Sequence, residues 1–247
     1  MTRRSYSPKS DFHRVGEFLD THYLAWNADG NWPQPAWEYM HYHPAIDEAH
    51  LDRCAVWEED GEIVAVAHYE WVLGEAFFQV ARGREDLKPH MLDYVESAMR
   101  GTDADGTFVM AYCIDSDTAF AGELERRGYV RNPAEDRPMT GIDLSQELAY
   151  SVPPGFRVQS LADENDLQKI DRCLWRGFNR PGEPEGDLDG RRKMQAGPGF
   201  RHDLSIVVVA PGGDYVSFSG AWHDKRCGFA YIEPVATDPD YRRMGLG

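Results

Sequence analysis

Residues Tyr231 to Gly247 read YIEPVATDPDYRRMGLG and form the most informative stretch of the chain. Its apolar residues up to Ala236 predict a strand, and Thr237-Asp238-Pro239-Asp240 then supplies turn chemistry. The six residues Arg242-Arg243-Met244-Gly245-Leu246-Gly247 combine two cations with glycines at alternate positions. Because glycine has no Cβ, successive N–H groups can face one concavity there. The stretch therefore predicts a strand that leads into a phosphate-binding loop.

The pattern R-x-x-G-x-G alone also occurs in ordinary turns, but the longer string is more specific. It resembles the acetyl-CoA-binding motif of the GNAT superfamily of N-acyltransferases, [Q/R]-x-x-G-x-[G/A] directly after the fourth strand. The resemblance implies that Val235 to Thr237 offer main-chain groups to the pantetheine arm and that the loop amides hold the pyrophosphate. The residues expected to bind acetyl-CoA are Val235, Ala236, Thr237, Arg242, Arg243, Met244, Gly245, Leu246 and Gly247.

Glu233 is the candidate catalytic residue. Amine acylation needs a neutral acceptor nitrogen, and GNAT proteins, which the stretch resembles, often use a glutamate of this strand as general base. Strand alternation predicts that Glu233 and Val235 point to the same face. A strand carboxylate that is exposed at a sheet end or pairs with a cation is the alternative. Tyr231 could line the acceptor site.

The composition of the chain argues against some classes of binding partner. The 247 residues are 42% hydrophobic, enough for real cores, and 26 Lys and Arg against 42 Asp and Glu give a net charge of -16. Such a charge argues against nucleic acid and anionic membranes. The chain contains neither a signal peptide pattern nor a long apolar run, so a cytoplasmic protein is expected. The expected acceptor is an amine of a small molecule or peptide; the oligomeric state has no readable signal.

No metal site is expected. The four cysteines are widely spaced without a C-x-x-C pair. Glu38, His41 and His43 could be drawn as a metal or acid/base cluster, but Pro44 bends the chain away, so a packed aromatic segment is the favoured interpretation.

Two halves of the chain have the same pattern of elements: strand, helix, short helix, hairpin, strand, basic turn. Pro153-Pro154-Gly155 is the linker signal between them. The expected fold is α/β, with mixed, mostly antiparallel GNAT-type sheets flanked by helices in two tandem copies. The domain prediction is residues 1–148 for a first GNAT-like domain, 149–155 for a linker, and 156–247 for the N-terminal part of a second domain. That second copy is expected to be incomplete, ending in the acetyl-CoA loop.

Several elements are predicted locally. Periodicity favours helices at Asp11 to Trp26 and Ala36 to His41, and Glu59-Asp60-Gly61 predicts a hairpin turn between two strands. The remaining predictions are strands at Ala76 to Val80, Thr107 to Ile114, Met139 to Leu144, Phe156 to Leu161, Leu204 to Ala210, Tyr215 to Trp222 and Gly228 to Thr237, and helices at Leu87 to Met99, Asp117 to Arg127, Asp163 to Phe178 and Leu188 to Met194.

The first copy has a degraded version of the motif. Ala81 to His90 read ARGREDLKPH, so bulky and acidic side chains stand where glycines are required. Two carboxylates would oppose a pyrophosphate. This domain is expected to have lost cofactor binding; an active site of altered form is the alternative. Tyr112 and Tyr129, the tyrosines nearest to a general-acid position, are expected in its core.

The leading hypothesis is an acetyl-CoA-dependent N-acetyltransferase. A non-catalytic acyl-CoA-binding or assembly module is the alternative, and a nucleotide-phosphate-binding module is disfavoured because no G-x-x-x-x-G-K-[S/T] string is present.

Overall fold

The computed structural model describes residues 1–145 and 149–247. The chain divides into two compact units, residues 1–40 with 45–142 and residues 41–44 with 143–247. Both contain a mostly antiparallel sheet and helices, as expected for an α/β protein. Among the described residues, no helix has both the length and the apolar character that crossing a bilayer requires.

The sheet of the first unit has the strand order β1-β2-β3-β4-β7, and only the β4–β7 pair is parallel. The Asp-Gly turn forms as predicted, with Asp60 and Gly61 at φ 52° and 87°. Trp37, Tyr69 and Met91 are among the fully buried side chains of its core. The elements are β1 (Thr2–Ser5), α1 (Pro8–His22), α2 (Gln34–Tyr42), β2 (Ala55–Glu59), β3 (Glu62–His68), β4 (Glu75–Val80), α3 (Lys88–Ala98), β5 (Gly101–Asp103), β6 (Gly106–Phe108), β7 (Met110–Ala111) and α4 (Thr118–Arg126).

The sheet of the second unit is antiparallel throughout, in the order β11-β10-β9-β8. Its elements are β8 (Arg157–Ser160), α5 (Leu167–Gly177), α6 (Asp189–Gln195), β9 (Ile206–Val209), β10 (Tyr215–Asp224) and β11 (Phe229–Thr237). The succession strand, helix, helix, hairpin, strand is therefore the same as from β1 to β4. The neighbour order of the four strands is also the same.

Helix α5 positions the end of β11. Asp166 caps the helix by accepting bonds from the N–H groups of Gln168 and Lys169 at 3.0 and 3.1 Å. The stripe Ile170, Cys173 and Leu174 is buried, and α5 packs on β10 and β11. This places the C-terminus of the helix beside the strand that leads into the predicted loop.

Three local predictions are wrong. Helix α1 begins at Pro8, whose ring suits the first helical turn, and ends at His22, so Trp26 lies outside it and is exposed. Met139 to Leu144 form no strand, because their apolar side chains face solvent and have no sheet to join. Thr107 to Ile114 are interrupted into the two short strands β6 and β7.

Candidate functional site

The end of β11 exposes main-chain groups at a free sheet edge. Strand β11 pairs only with β10 among the described residues. Asp238 N–H donates to Val216 C=O at 2.9 Å, next to the pair Ser217–Thr237. In an antiparallel ladder this identifies Ser217–Thr237 as a non-hydrogen-bonded pair, and Ser219–Val235 as another. The N–H and C=O groups of Val235 and Thr237 therefore point away from β10, whereas those of Ala236 point toward it.

A β-bulge interrupts β11 at Glu233 and Pro234. The register moves from Ala221–Ile232 to Ser219–Val235, so both residues lie opposite Gly220. The extra residue reverses the alternation, and Val235 shares its face with Ile232. The prediction that Glu233 and Val235 share a face is therefore wrong. Glu233 lies on the face of Tyr231 and is partly buried, and its carbonyl accepts a bond from the Trp222 indole at 2.9 Å.

The loop after β11 has two left-handed residues at alternate positions, Arg243 at φ 62° and Gly245 at φ 73°. A β-carbon built on Gly245 meets no atom within 4 Å, so the space above it is open. Leu246 is 6% exposed and packs against Val208 and Val216, which anchors the loop. Within the described residues, the N–H groups of 243 to 247 donate to no protein acceptor. An unsatisfied run of N–H groups in such a turn suits an anion.

The two arginines of the loop have different environments. Arg242 donates from Nε to Thr237 C=O at 3.1 Å and from Nη2 to Gly177 C=O at 2.7 Å. Its guanidinium thus ties the loop to the strand and to the end of α5. Arg243 is exposed and has no bond to another described residue. It is the loop cation that can turn toward a bound anion.

Asp238 fixes the turn between the strand and the loop. Its carboxylate, in a residue only 4% exposed, accepts bonds from Arg176 Nε and Nη2 at 2.5 and 3.0 Å and from Asp240 N–H at 3.0 Å. Burial alone would raise the pKa of Asp238, but the Arg176 guanidinium and the Asp240 amide outweigh it and hold the pKa below its ordinary value. Sequence reasoning missed this pair, although the D-P-D turn was visible.

Helix α5 packs closely against β11 at Gly177. A β-carbon there would lie 2.6 Å from the Ala236 Cβ and 3.3 Å from the Thr237 nitrogen. Only a residue without a side chain fits this contact, because a real Cβ does not approach another carbon so closely.

Replacing Gly177 by alanine is expected to destabilise the protein by about 1–3 kcal/mol, because the added methyl overpacks the contact with Ala236. In an ordinary helix the same change stabilises by up to about 1 kcal/mol. Urea-induced unfolding measures the difference. Gly122→Ala is the matched control, since Gly122 lies inside α4 and a β-carbon there meets no atom within 4 Å. A Gly177→Ala protein as stable as Gly122→Ala would contradict the expected clash.

The equivalent strand end of the first unit is occupied by its own side chains. The Asn31 amide accepts from Val80 N–H at 2.8 Å and donates to Val80 C=O at 2.9 Å. Ala81 N–H donates to Val64 C=O at 2.8 Å, so Val80 corresponds to Thr237 in register. In the following turn, Gly83 N–H donates to the Glu85 carboxylate at 3.1 Å. These groups of the first unit are therefore satisfied within the protein.

Other candidate residues of the sequence analysis lie in the first unit and form hydrogen bonds or are buried there. Tyr129 donates to Glu96 at 3.2 Å, and burial together with that carboxylate raises the Tyr129 pKa to about 12. Burial also raises the Tyr112 pKa. Glu38 accepts a bond from Gln34 at 2.7 Å.

Comparison with known proteins identifies the fold. No family model matches the chain, and no curated protein sequence matches it. Among solved structures, a GCN5-related N-acetyltransferase from Sphaerobacter thermophilus is similar with a TM-score of 0.57 and 19% identity, over 99% of this chain and 78% of that one. A tandem GNAT protein from the clavulanic acid biosynthesis pathway, solved without AcCoA, is similar with a TM-score of 0.50 and 16% identity, over 100% of this chain and 82% of that one. The chain has a GNAT-type fold.

Proposed function

We propose that the protein is an N-acetyltransferase that transfers an acetyl group from acetyl-CoA to an amine of a small molecule or peptide, with the cofactor held by the second unit. The observation that supports this proposal is the arrangement of main-chain groups at the end of β11. The outward main-chain groups of Val235 and the outward N–H of Thr237 lead there into the left-handed loop around Gly245.

The residues present suit acetyl-CoA. An edge strand can bond the amides of a pantetheine arm as another strand would, through the outward groups of Val235 and the N–H of Thr237. The unsatisfied N–H groups of 243 to 247 and the exposed Arg243 suit a pyrophosphate. The contact of Ala236 with Gly177 of helix α5 fixes the position of this part of β11. When bound, acetyl-CoA supplies the activated acetyl group as a thioester.

Glu233 is the proposed general base. It lies on β11 directly beside the segment proposed for the pantetheine arm, and a carboxylate can accept the proton of an acceptor amine. Tyr231 lies on the same face by strand alternation and is proposed to line the acceptor site.

We further propose two tandem GNAT-like domains, residues 1–148 and 156–247 joined by 149–155. The neighbour order of β1 to β4, which is the same as that of β8 to β11, supports this division. In the first domain the bonds of Asn31 to Val80 and of Glu85 to Gly83 support loss of cofactor binding, because they satisfy the main-chain groups that a cofactor would use.

The test combines binding with turnover. Acetyl-CoA at about 100 times its dissociation constant is expected to stabilise the unit that binds it by roughly 2.7 kcal/mol, which is measured as a raised melting temperature. Release of CoA thiol with a panel of primary amines then measures transfer. Stabilisation without thiol release from any amine would favour the binding-module alternative. If acetyl-CoA does not stabilise the protein and no amine causes release of CoA thiol, both functions are excluded.

Glu233→Gln separates the roles within that test. It is expected to retain acetyl-CoA stabilisation and to lower the rate of thiol release by about 100-fold or more, since general base catalysis typically contributes 10²–10⁴. An unchanged rate would remove Glu233 from the mechanism.

A further inference from the structure

Arg137, whose side chain is 40% exposed, lies in an acidic and aromatic enclosure of the first unit. The Arg137 guanidinium bonds the Glu70 carboxylate through Nη1, and its Nη2 lies 3.6 Å from Glu75 Oε1. The side chains of Glu70 and Glu75 are 11% and 8% exposed. Two carboxylates held this far from water require compensating charge or hydrogen bonds.

Backbone donors orient one of these carboxylates. Glu75 Oε2 accepts bonds from the N–H groups of Glu70 and Trp71 at 3.1 and 2.8 Å. This leaves Oε1 directed at the guanidinium. The position of Glu75 is thus fixed by groups other than Arg137, and the acceptor persists when the arginine leaves.

Two stacked rings form the aromatic wall. Phe77 and Tyr112 lie with their centroids 4.2 Å apart and their planes 5° from parallel. The Arg137 Cζ lies 4.5 Å from the Tyr112 centroid and 5.6 Å from that of Phe77. Ring faces attract cations, most strongly where water is excluded. The enclosure therefore offers both recognition elements of a cation site.

The segment that carries the arginine has little support of its own. Residues 137 to 143 form neither helix nor strand, and Met139 and Ile142 expose their apolar side chains. Withdrawing Arg137 would therefore break no secondary structure. By contrast, Glu75 and Phe77 belong to β4 in the central sheet.

We propose that the enclosure formed by Glu70, Glu75, Phe77 and Tyr112 is a binding site for an alkylguanidinium or alkylammonium group, and that Arg137 is an intramolecular occupant which such a ligand displaces. The proposal concerns the first unit alone and does not require that the second unit transfers acetyl groups. The excess of negative charge on the chain favours cationic ligands at long range.

The test is a titration of Arg137→Ala with ethylguanidinium, in which saturation-transfer NMR measures binding of the probe. Removing the occupant is expected to tighten binding of the probe at least tenfold relative to the wild-type protein. Ethylurea, a neutral molecule of similar shape, is expected not to bind. Arg131→Ala is the matched control, because Arg131 lies six residues before Arg137 and its ion pairs within the described residues, with Asp136 and Asp115, lie at the surface. It should behave as wild type.

The double variant Arg137→Ala/Glu70→Gln identifies the site, since it is expected to lose the gained affinity. Equal binding by Arg137→Ala and Arg131→Ala would overturn the proposal, as would binding of ethylurea as tight as that of ethylguanidinium. If circular dichroism shows that Arg137→Ala does not fold, the same titration of Arg137→Gln decides, because glutamine keeps a planar donor without the charge.

Discussion

Gly245→Glu is expected to abolish the rise in melting temperature that acetyl-CoA produces in the wild-type protein. The new carboxylate would enter the open space above the loop, where the proposed pyrophosphate lies. Two like charges about 4 Å apart repel by about 4 kcal/mol at an effective dielectric constant of 20, so affinity should fall on the order of 100-fold or more. Thermal-shift titration with acetyl-CoA measures the loss.

The fold should tolerate this substitution with a small penalty. A β-carbon at Gly245 meets no neighbour, and left-handed backbone costs a non-glycine residue about 1–2 kcal/mol. Gly213→Glu is the matched control: Gly213 has φ 91°, its β-carbon would also meet no atom within 4 Å, and it lies between β9 and β10. Retained binding in Gly245→Glu, or equal loss in Gly213→Glu, would refute the assignment of the loop.

Asp238→Ala is expected to lower the free energy of unfolding by about 2–4 kcal/mol. The change removes a buried carboxylate that accepts two bonds from Arg176 and one from Asp240 N–H. Breaking a buried ion pair costs about 3–5 kcal/mol, and we take a lower range because the Arg176 side chain is 26% exposed. Urea-induced unfolding followed by tryptophan fluorescence measures the effect, and acetyl-CoA binding should weaken as the turn loosens.

Asp240→Asn is the control, since Asp240 pairs with the same arginine but its side chain is 75% exposed. A surface pair contributes about 1 kcal/mol or less. If both variants were equally stable, the Asp238 pair would not hold the turn.

Acid titration checks the charge of Asp238 independently. Because its folded pKa lies below the unfolded value of about 3.9, its contribution to stability is present above that pH and is lost as the pH falls through the folded pKa. The difference between wild type and Asp238→Ala should therefore be full at pH 7 and shrink below about pH 4. A difference that grows toward acid pH would contradict the lowered pKa.

The local elements were readable from the sequence. Short-range patterns predict three of them: the Asp-Gly hairpin, helix α4 after Asp117 and strand β11 before its turn. Periodicity, capping and φ preference depend on residues close together in the sequence. The same holds for the motif in Tyr231 to Gly247, whose resemblance indicated the GNAT fold. The segment Met139 to Leu144 had the composition of a strand, but no strand of residues 1–145 and 149–247 pairs with it.

The sequence by itself thus determined the fold class and the position of the candidate loop. The tertiary structure alone decided how that loop is held: Arg176 meets Asp238 across 62 residues, and Gly177 admits Ala236 at the end of α5. It also decided that Asn31 satisfies Val80 across 49 residues in the first unit, and that a bulge turns Glu233 away from the face of Val235. The physical reason is that dihedral preference and periodicity act over a few residues, whereas these contacts depend on which packed elements place their backbones side by side.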